Sequence, residues 1–593
     1  MATIMEDANM EGDMANQEYP HDETRPLNIL HLPMDILDII FDQIDNSTWI
    51  GLYFEPRKNI QNARLVCRLF NQLASPHLCP ELKVQLDQTS LSLVDEISRN
   101  PLIAAGVRTI HVVLLYHPGE VAENLQRFKN WRDEDIGRRW RGSEYLAADF
   151  YHDPYVDGDG TVHERPRREY TKAVYKKGLA DFQAIISAWD KCFSSSDGVP
   201  IDAESLRYQE ILRQGYEEYR QKHEEQFRLI TGESFVNTLA SAMARMRHCP
   251  YLRFYDKMEY VYDDYHYNYR NYNDKDRFLL TTDPEELPRL LVAPVRWRDI
   301  EGIRGGADLT PAKLLSELPI AIHKAGATIS TITLHCFPTS NNYSMICPDL
   351  HDPSNPSWPD LRAACQHLTK FELRPNNQPM SFRHLLPEEQ VHIDEYLCAM
   401  LSGQDIEIAS LWFGDFVVMD DESDEVKGYY HIGAVLSTIS WPRIKELRLC
   451  DVSFHQGELE AFFRGLGGGR IESVSIWNVE LLSGSWVGAL DILRKKLASR
   501  CLDGKCETDL NSLSGGEFGK RGTQKRKHRS WFVESDKESD GEESDGEESG
   551  EEGSNEEDSD EEDSDEEPSI FDQVDSYVSG VALQNPLSGL IML

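Results

Sequence analysis

The sequence lacks the signals of a membrane, secreted or disulfide-bonded protein. No apolar run approaches the roughly 20 residues that a helix needs to cross a bilayer. Residues 1–26 are acidic and polar and contain no apolar signal-peptide core. The eleven cysteines include no Cys-x-x-Cys pair, which favours free thiols in a reducing compartment. We therefore expect a cytoplasmic or nuclear protein with no membrane partner.

Catalytic and cofactor motifs are missing as well. The chain contains no phosphate-binding glycine loop, no zinc-protease helix and no nucleophile elbow. Residues 153–164 resemble a calcium loop only in part, because Tyr155 falls where an oxygen ligand is required. We expect no enzyme activity, no cofactor and no metal site. An active site built from residues distant in sequence is the alternative.

Negative charge is concentrated near the C-terminus. The net charge is −41, and residues 534–567 alone contain 21 acidic residues and one lysine. Such a segment has too few apolar residues to fold, so we expect it to be disordered. A basic cluster at residues 525–529 precedes it and is consistent either with nuclear import or with folding back onto the acidic run. The acidic body argues against nucleic acid as the main partner.

Serines recur every five residues in the acidic segment, each with a glutamate three positions later, the pattern favoured by acid-directed casein-type kinases. The candidate phosphorylation sites are Ser539, Ser544, Ser549, Ser554, Ser559 and Ser564. Each phosphate adds about −1.5 to −2 charges. A tether for basic proteins and a solubilising, self-repelling tail are both consistent with this composition.

Two apolar stripes lie near the N-terminus. Pro33 suits the first turn of a helix, and Asp35 lies near the positive end of that helix. The apolar residues that follow recur at steps of three and four. The first stripe consists of Ile36, Leu37, Ile40, Phe41 and Ile44, and the second of Leu65, Val66, Leu69, Phe70 and Leu73. Two short helices cannot bury both stripes against each other, so part of this surface is available to a partner.

Residues 32 to about 82 resemble an F-box, a small helical module of many eukaryotic proteins. The resemblance rests on Leu32-Pro33, on the 35–37 and 40–41 steps, and on residues 65–68 with Phe70, although residues 45–60 form a longer connection than is usual in the family. It implies binding to the Skp-type linker of a cullin-RING ubiquitin ligase. The implied linker-binding residues are Leu32, Pro33, Asp35, Ile36, Leu37, Ile40, Phe41, Leu65, Val66 and Cys67. An ordinary helical hairpin at the edge of a larger domain is the alternative.

A short apolar pattern recurs along the rest of the chain, with apolar residues at positions 1, 4 and 6. Its copies are Val107-Ile110-Val112, Ile329-Ile332-Leu334, Leu368-Phe371-Leu373, Ile408-Leu411-Phe413, Ile444-Leu447-Leu449 and Ile471-Val474-Ile476. Residues 444–454 and 471–481 match at an offset of 27, inside the roughly 20–29-residue range of leucine-rich repeats. The pattern resembles the degenerate repeats that follow an F-box in fungal proteins. Unrelated buried strands of an α/β domain are the alternative.

Together these features predict an α/β protein with an N-terminal helical F-box, an irregular leucine-rich-repeat-like solenoid with a helical insertion, and a disordered acidic tail. The predicted parts are a disordered N-terminus at 1–26, the F-box at 27–82, a first repeat-like segment at 83–120, a Tyr-rich helical insertion at 121–310, the repeat-like domain at 311–510 and a basic and acidic disordered tail with an apolar C-terminus at 511–593.

The functional hypothesis is a substrate adaptor of an SCF-type ubiquitin ligase. The F-box is expected to bind the Skp-type linker and, through it, cullin, while the repeat body binds an unknown target protein. One alternative is an F-box interaction protein outside any ligase. Another is a binder of basic nuclear proteins that acts through its acidic residues.

Overall fold

The computed structural model contains two compact units, one within residues 1–78 and the other within residues 79–593. The described residues are 29–46, 58–152, 155–156, 162–163, 168–193, 202–256, 287–339, 341–348, 357–375, 385–416, 418–419, 426–519 and 569–588. Outside these ranges lie residues 1–26, the tyrosine-rich part of the predicted insertion (residues 260–272), the basic cluster at 525–529 and the acidic segment at 534–567 with its candidate serines. Within them, no helix combines the length and the apolar character that crossing a bilayer requires.

The first unit, unit 1, is built from short helices. Helix α1 spans Met34–Asn46, α2 spans Lys58–Arg64 and α3 spans Arg68–Ala74, with 3-10 turns at Ile29–His31 and Ser75–His77. Helices of this length are marginal in isolation, so tertiary packing must stabilise them. The unit ends at residue 78, which is four residues before the predicted F-box boundary.

The second apolar stripe begins in a turn and continues into α3, which corrects the expectation of a single helix there. Helix α2 ends at Arg64, and Cys67 then adopts an extended φ of −160°. The Cys67 Sγ accepts a hydrogen bond from the Phe70 N–H at 3.4 Å and so caps α3. Leu65 and Val66 consequently occupy the turn between the two helices.

The core of unit 1 is small. Its buried side chains are Leu37, Phe41, Ile60, Phe70 and Ala74. The rings of Phe41 and Phe70 meet edge to face with their centroids 5.3 Å apart, a favourable aromatic geometry. All three helices contribute to this core.

The second unit, unit 2, contains a ten-stranded sheet in which every strand pairing is parallel. In chain order the described strands are β1 Glu81–Gln85, β2 Thr109–Val113, β3 Tyr155–Val156, β4 Val162–His163, β5 Tyr251–Tyr255, β6 Thr331–Leu334, β7 Lys370–Leu373, β8 Ile408–Trp412, β9 Val418–Met419, β10 Val426–Gly428, β11 Tyr430–His431, β12 Glu446–His455, β13 Ser473–Ser483 and β14 Glu507–Asn511. The sheet order is β1-β2-β5-β6-β7-β8-β12-β13-β14 with β11 beside β12, while β3–β4 and β9–β10 are separate antiparallel pairs. Parallel crossovers are right-handed almost without exception, so adding strands in chain order places the connecting helices on one face.

Apolar side chains form two continuous rows across this sheet. Strand pairing aligns the first row, Leu82, Ile110, Leu252, Ile332, Phe371, Ala409, Leu447 and Val474. The second row lies two residues further along, Val84, Val112, Phe254, Leu334, Leu373, Leu411, Leu449, Ile476 and Leu510. No side chain in either row is more than 6% exposed, so the rows form one continuous core layer.

The apolar pattern predicted for β8 is displaced by two residues. The sequence suggested Ile408, Leu411 and Phe413, but pairing with β7 and β12 places Ala409 and Leu411 in the two apolar rows. Alanine gives a weak apolar signal in a sequence, although Ala409 is completely buried. The displaced prediction therefore follows from a small residue at a core position.

The two segments that match at an offset of 27 are neighbouring strands. Residues 446–454 of β12 pair in register with residues 473–481 of β13. Asp451 and Asn478 stand at equivalent positions and have positive φ angles of 60° and 52°. Asn478 Nδ2 donates to Asp451 Oδ1 at 3.0 Å, and aspartate and asparagine tolerate this backbone region better than most residues. The similarity thus extends to the backbone conformation.

The helices of unit 2 form a second layer. They are α4 Gln88–Arg99, α5 Pro101–Ala104, α6 Gly119–Ala122, α7 Leu125–His152, α8 Arg168–Asp190, α9 Ala203–Thr231, α10 Ser234–Arg245, α11 Leu287–Val292, α12 Leu314–Lys324, α13 Trp358–Cys365, α14 Pro387–Met400, α15 Gly433–Leu436, α16 Gln456–Gly465, α17 Trp486–Leu502 and α18 Ile570–Val578. Short 3-10 helices lie at Trp297–Gly302, Thr310–Lys313, Tyr343–Ile346, Gly414–Phe416 and Gly516–Phe518. Helices α4, α10, α12, α13, α14, α15, α16 and α17 pack on one another in chain order. The helices that connect successive strands therefore contact one another in turn.

The helical insertion is shorter than the predicted range of 121–310. Helix α10 and strand β5 fall inside that range but belong to the stacked array, because Leu252 and Phe254 extend the apolar rows. The inserted helices are α7, α8 and α9, and α9 packs on the other two. The Trp189 indole donates to the Tyr208 carbonyl at 3.0 Å and links α8 to α9.

The C-terminal region is not disordered throughout, which corrects the prediction for residues 511–593. Residues 511–519 and 569–588 are described, and α18 packs on α17 and β14. Val574 is completely buried, and the Tyr577 hydroxyl donates to Asp491 Oδ1 at 2.6 Å. The apolar residues after the acidic run thus cover the end of the helical layer.

The two ends of the acidic segment are held together. The rings of Phe518 and Phe571 stack with their centroids 5.6 Å apart and their planes 15° from parallel. The described residues on the two sides of the acidic segment therefore lie beside the same part of unit 2. In sequence, residues 534–567 lie between two stretches that are anchored on unit 2.

Candidate functional site

Unit 1 exposes several large apolar side chains. Ile36 is 42% exposed, Ile39 56%, Leu65 85% and Val66 66%. We call these four residues the exposed apolar set. Single exposed apolar residues are ordinary on protein surfaces. Four on a unit whose core contains five buried side chains are typical of a contact surface.

The structure divides the ten predicted linker-binding residues by burial. The exposed members are Pro33, Asp35, Ile36, Leu65 and Val66, and the half-buried members are Leu32, Ile40 and Cys67. Leu37 and Phe41 are 1% and 2% exposed, so they hold the three helices together and are not available to a partner. This corrects their assignment to the binding face. They lie one turn apart on α1 and face the small core.

Sequence reasoning missed part of this surface. Among the α1 side chains that the structure describes, Ile39 is the most exposed apolar residue, yet the predicted stripe did not include it. Its three-residue spacing from Ile36 was the available signal. Met34, Ile29 and Leu30 are also 44% to 48% exposed and precede or begin α1.

A second candidate surface is the sheet face opposite the apolar rows. In β7, β8 and β13 buried residues alternate with more exposed ones, as expected for a sheet with one face in solvent. Strands β2 and β6 are buried throughout, so the open face is interrupted along the sheet.

One register row on the open face combines aromatic and basic side chains. The row continues from Trp412 through Cys450 to Trp477 and Asn511. The Arg374 guanidinium lies 5.4 Å from the Trp412 ring centroid, and the Trp412 and Trp477 rings meet edge to face at 6.5 Å. Tryptophan and arginine are the residues most enriched at the centres of protein interfaces. The sequence provided no residue-level prediction for this surface.

A third cluster lies where β11 and β12 end. His431 Nε2 is 2.8 Å from Glu458 Oε2, and the same oxygen accepts a hydrogen bond from the His455 N–H at 2.8 Å. One ligand atom from each of His431, His455 and Glu458 lies within 4.8 Å of the others. Hydrogen bonds to the carboxylate lower the pKa of Glu458, against the effect of its partial burial. This cluster was not predicted, because its members are separated by up to 27 residues.

Several cysteines are unsuited to nucleophilic chemistry. Burial raises the pKa of the Cys249 and Cys450 thiols to about 12 and raises that of Cys365 further. A thiol with a raised pKa carries little thiolate, which is the reactive form. Cys347 differs in its surroundings, since its Sγ lies 3.1 Å from His392 Nδ1.

Comparison of the chain with protein-family models, with curated proteins and with solved structures gave no significant match.

Proposed function

We propose that this protein is a non-catalytic substrate adaptor of an SCF-type ubiquitin ligase. Unit 1 would bind the Skp-type linker, and unit 2 would bind the target protein. The observation that carries the proposal is the exposed apolar set, which lies on a small helical unit with its own core.

The energetics explain why several residues must act together. Burying one Ile, Leu or Val side chain contributes about 1.5–3 kcal/mol. Association costs roughly 4–15 kcal/mol in lost freedom. The four members of the exposed apolar set together contribute about 6–12 kcal/mol and can offset the lower part of that range, whereas the two residues of either element alone contribute about 3–6 kcal/mol and reach only its lower limit. Residues from both α1 and the α2–α3 turn are therefore needed.

For unit 2 we infer a leucine-rich-repeat-like solenoid. Support comes from the strand order that follows the chain, from the two aligned apolar rows and from the 27-residue match of β12 with β13. Such an array presents an extended surface, and the Arg374, Trp412 and Trp477 side chains are its best candidate contacts. Holding a target near the ubiquitin thioester would accelerate transfer by proximity.

Co-purification with a Skp-type linker and a cullin tests the proposal. Ile36→Asp and Leu65→Asp place charges on the exposed apolar set and should each reduce linker recovery at least tenfold. Leu93→Asp is the matched control, because Leu93 is 53% exposed on α4 of unit 2 and should leave recovery unchanged. Equal recovery with all three variants would contradict the proposal.

The same experiment separates the alternatives. Recovery of linker without cullin would favour an interaction protein outside any ligase. Deleting residues 534–567 should leave linker binding and target ubiquitination largely intact if the proposal holds. Loss of all function in that deletion would favour a binder of basic proteins that acts through its acidic residues.

A further inference from the structure

The cluster of His431, His455 and Glu458 has the composition of a metal site. His431 ends β11, His455 ends β12, and Glu458 occupies the first turn of α16. These three elements are neighbours, because β11 pairs with β12 and α16 begins directly after β12. The fold therefore brings two imidazoles and one carboxylate to the same edge of the sheet.

The ring nitrogens are oriented in a way that suits metal binding. His455 Nδ1 lies 2.7 Å from Ser483 Oγ at the end of β13. Histidines that bind metals usually donate their second ring N–H to an oxygen, which fixes the tautomer. In the tautomer in which His455 Nδ1 donates to Ser483 Oγ, the Nε2 of His455 carries the lone pair. His431 directs its own Nε2 toward the Glu458 carboxylate.

Space for the carboxylate is provided by a glycine. A Cβ atom on Gly433 would lie 2.0 Å from Glu458 Oε2 and 3.0 Å from His431 Nε2. Any other residue at this position would displace the carboxylate from the two histidines. Gly433 has an ordinary backbone conformation, so close approach and not a positive φ accounts for the glycine.

We propose that His431, His455 and Glu458 bind one zinc ion. Two imidazoles and a carboxylate are ligands that zinc accepts, and three protein ligands leave a fourth position for water. His455 is exposed, so the fourth position is accessible from solvent. The ion would connect β11 to β12 and α16. The proposal is independent of the adaptor function.

Zinc titration of the purified, metal-free full chain tests the site. One zinc ion should bind with a dissociation constant in the micromolar range or below. His431→Ala and His455→Ala should each weaken binding at least 100-fold, and Gly433→Ala should weaken it by displacing Glu458. Ser483→Ala should cost roughly tenfold, as expected for loss of a partner that orients a ligand. His367→Ala is the control, because this exposed histidine is paired with Asp405 outside the cluster and should leave affinity unchanged.

Cobalt distinguishes this site from cysteine sites. Co²⁺ at the cluster should give the visible absorption of a nitrogen and oxygen site without an intense thiolate charge-transfer band. Unaltered zinc binding in the double variant His431→Ala/His455→Ala, or a thiolate band from a site such as Cys347 and His392, would overturn the proposal. Far-ultraviolet circular dichroism and thermal melting of each variant would separate lost ligands from lost folding.

Discussion

Unit 1 and the sheet of unit 2 differ in how completely they bury their apolar side chains. Unit 1 buries five side chains and leaves the four members of the exposed apolar set in solvent. The apolar rows of unit 2 continue from strand to strand, and none of their members exceeds 6% exposure. Each strand of a large sheet buries its apolar side chains beside those of its neighbours and under the helical layer. A small helical unit has too little interior to bury all of its apolar side chains, so some of them remain on the surface, where a partner can contact them.

The largest effect is expected from breaking the core of unit 1. Phe41→Ala should destabilise that unit by about 3–5 kcal/mol, because it removes a buried ring that packs on Phe70. Leu65→Ala should change its stability by less than about 0.5 kcal/mol, because the side chain is 85% exposed. Hydrogen exchange of the amides in α1, α2 and α3 measures both variants in the full chain.

These two substitutions should also have opposite consequences for binding. Leu65→Ala should weaken linker binding while exchange in unit 1 stays unchanged. If Leu65→Ala were as destabilising as Phe41→Ala, the division between core and exposed apolar set would be wrong.

A second comparison is between a buried and an exposed valine in the C-terminal region that packs on unit 2, Val574 and Val581. Proteolytic cleavage within residues 520–568 should leave the fragment containing α18 bound to unit 2. Val574→Asp should release that fragment, because it buries an unpaired charge at a completely buried position. Val581→Asp is the matched control, since Val581 is 72% exposed. Size-exclusion chromatography of the cleaved protein distinguishes retention from release.

Retention in both variants would show that Val574 does not secure α18. Release of the fragment from the unsubstituted protein would contradict the anchoring of the acidic segment at both ends.

Much of this architecture was visible as local periodicity. The helical spacing of α1 and the 27-residue match of β12 with β13 both correspond to elements of the structure. The failures have physical causes. Alanine is a weak apolar signal, so the sequence pattern did not reveal that Ala409 belongs to the core row of β8. The helix cap formed by Cys67 leaves Leu65 and Val66, the first two residues of the second stripe, in a turn before α3.

A smaller loss of stability is expected from substitution of Gly467, which lies between α16 and β13 and close to the backbone of Pro442. A Cβ atom on Gly467 would lie 2.1 Å from the Pro442 carbonyl oxygen, whereas one on Gly469 meets nothing within 4 Å. Gly467→Ala should therefore destabilise unit 2 by about 1–3 kcal/mol through overpacking. Gly469→Ala should be neutral or slightly stabilising. Chemical denaturation of the two variants compares them directly, and equal midpoints would contradict the close approach.

The smallest effect is the pH dependence of folding stability that His117 causes where it contacts Gln226 of the helical insertion. Burial lowers the pKa of His117 from 6.5 to about 4, although Gln226 Oε1 and the Val292 carbonyl oxygen each lie 3.0 Å from a ring nitrogen. The unfolded chain binds a proton more readily between these two pKa values. Stability from this residue is therefore complete above about pH 6.5 and falls as the pH drops toward about 4.

Thermal melting at several pH values checks this expectation. His117→Gln should reduce the loss of midpoint temperature between about pH 7 and about pH 5. His367→Gln, on an exposed histidine, should keep the slope of the unsubstituted protein. An unchanged slope in His117→Gln would assign the pH dependence to other groups.

The sequence by itself determined the periodic elements of this protein: the apolar stripe of α1, the strand pattern and the acidic run. These depend on residue spacing within one helix, one strand or one segment. Only the tertiary structure decided that Leu37 is buried while Leu65 is exposed, that α18 covers the end of the helical layer, and that His431 and His455 meet Glu458. Each of these depends on which distant segments become neighbours, and local periodicity carries no information about that.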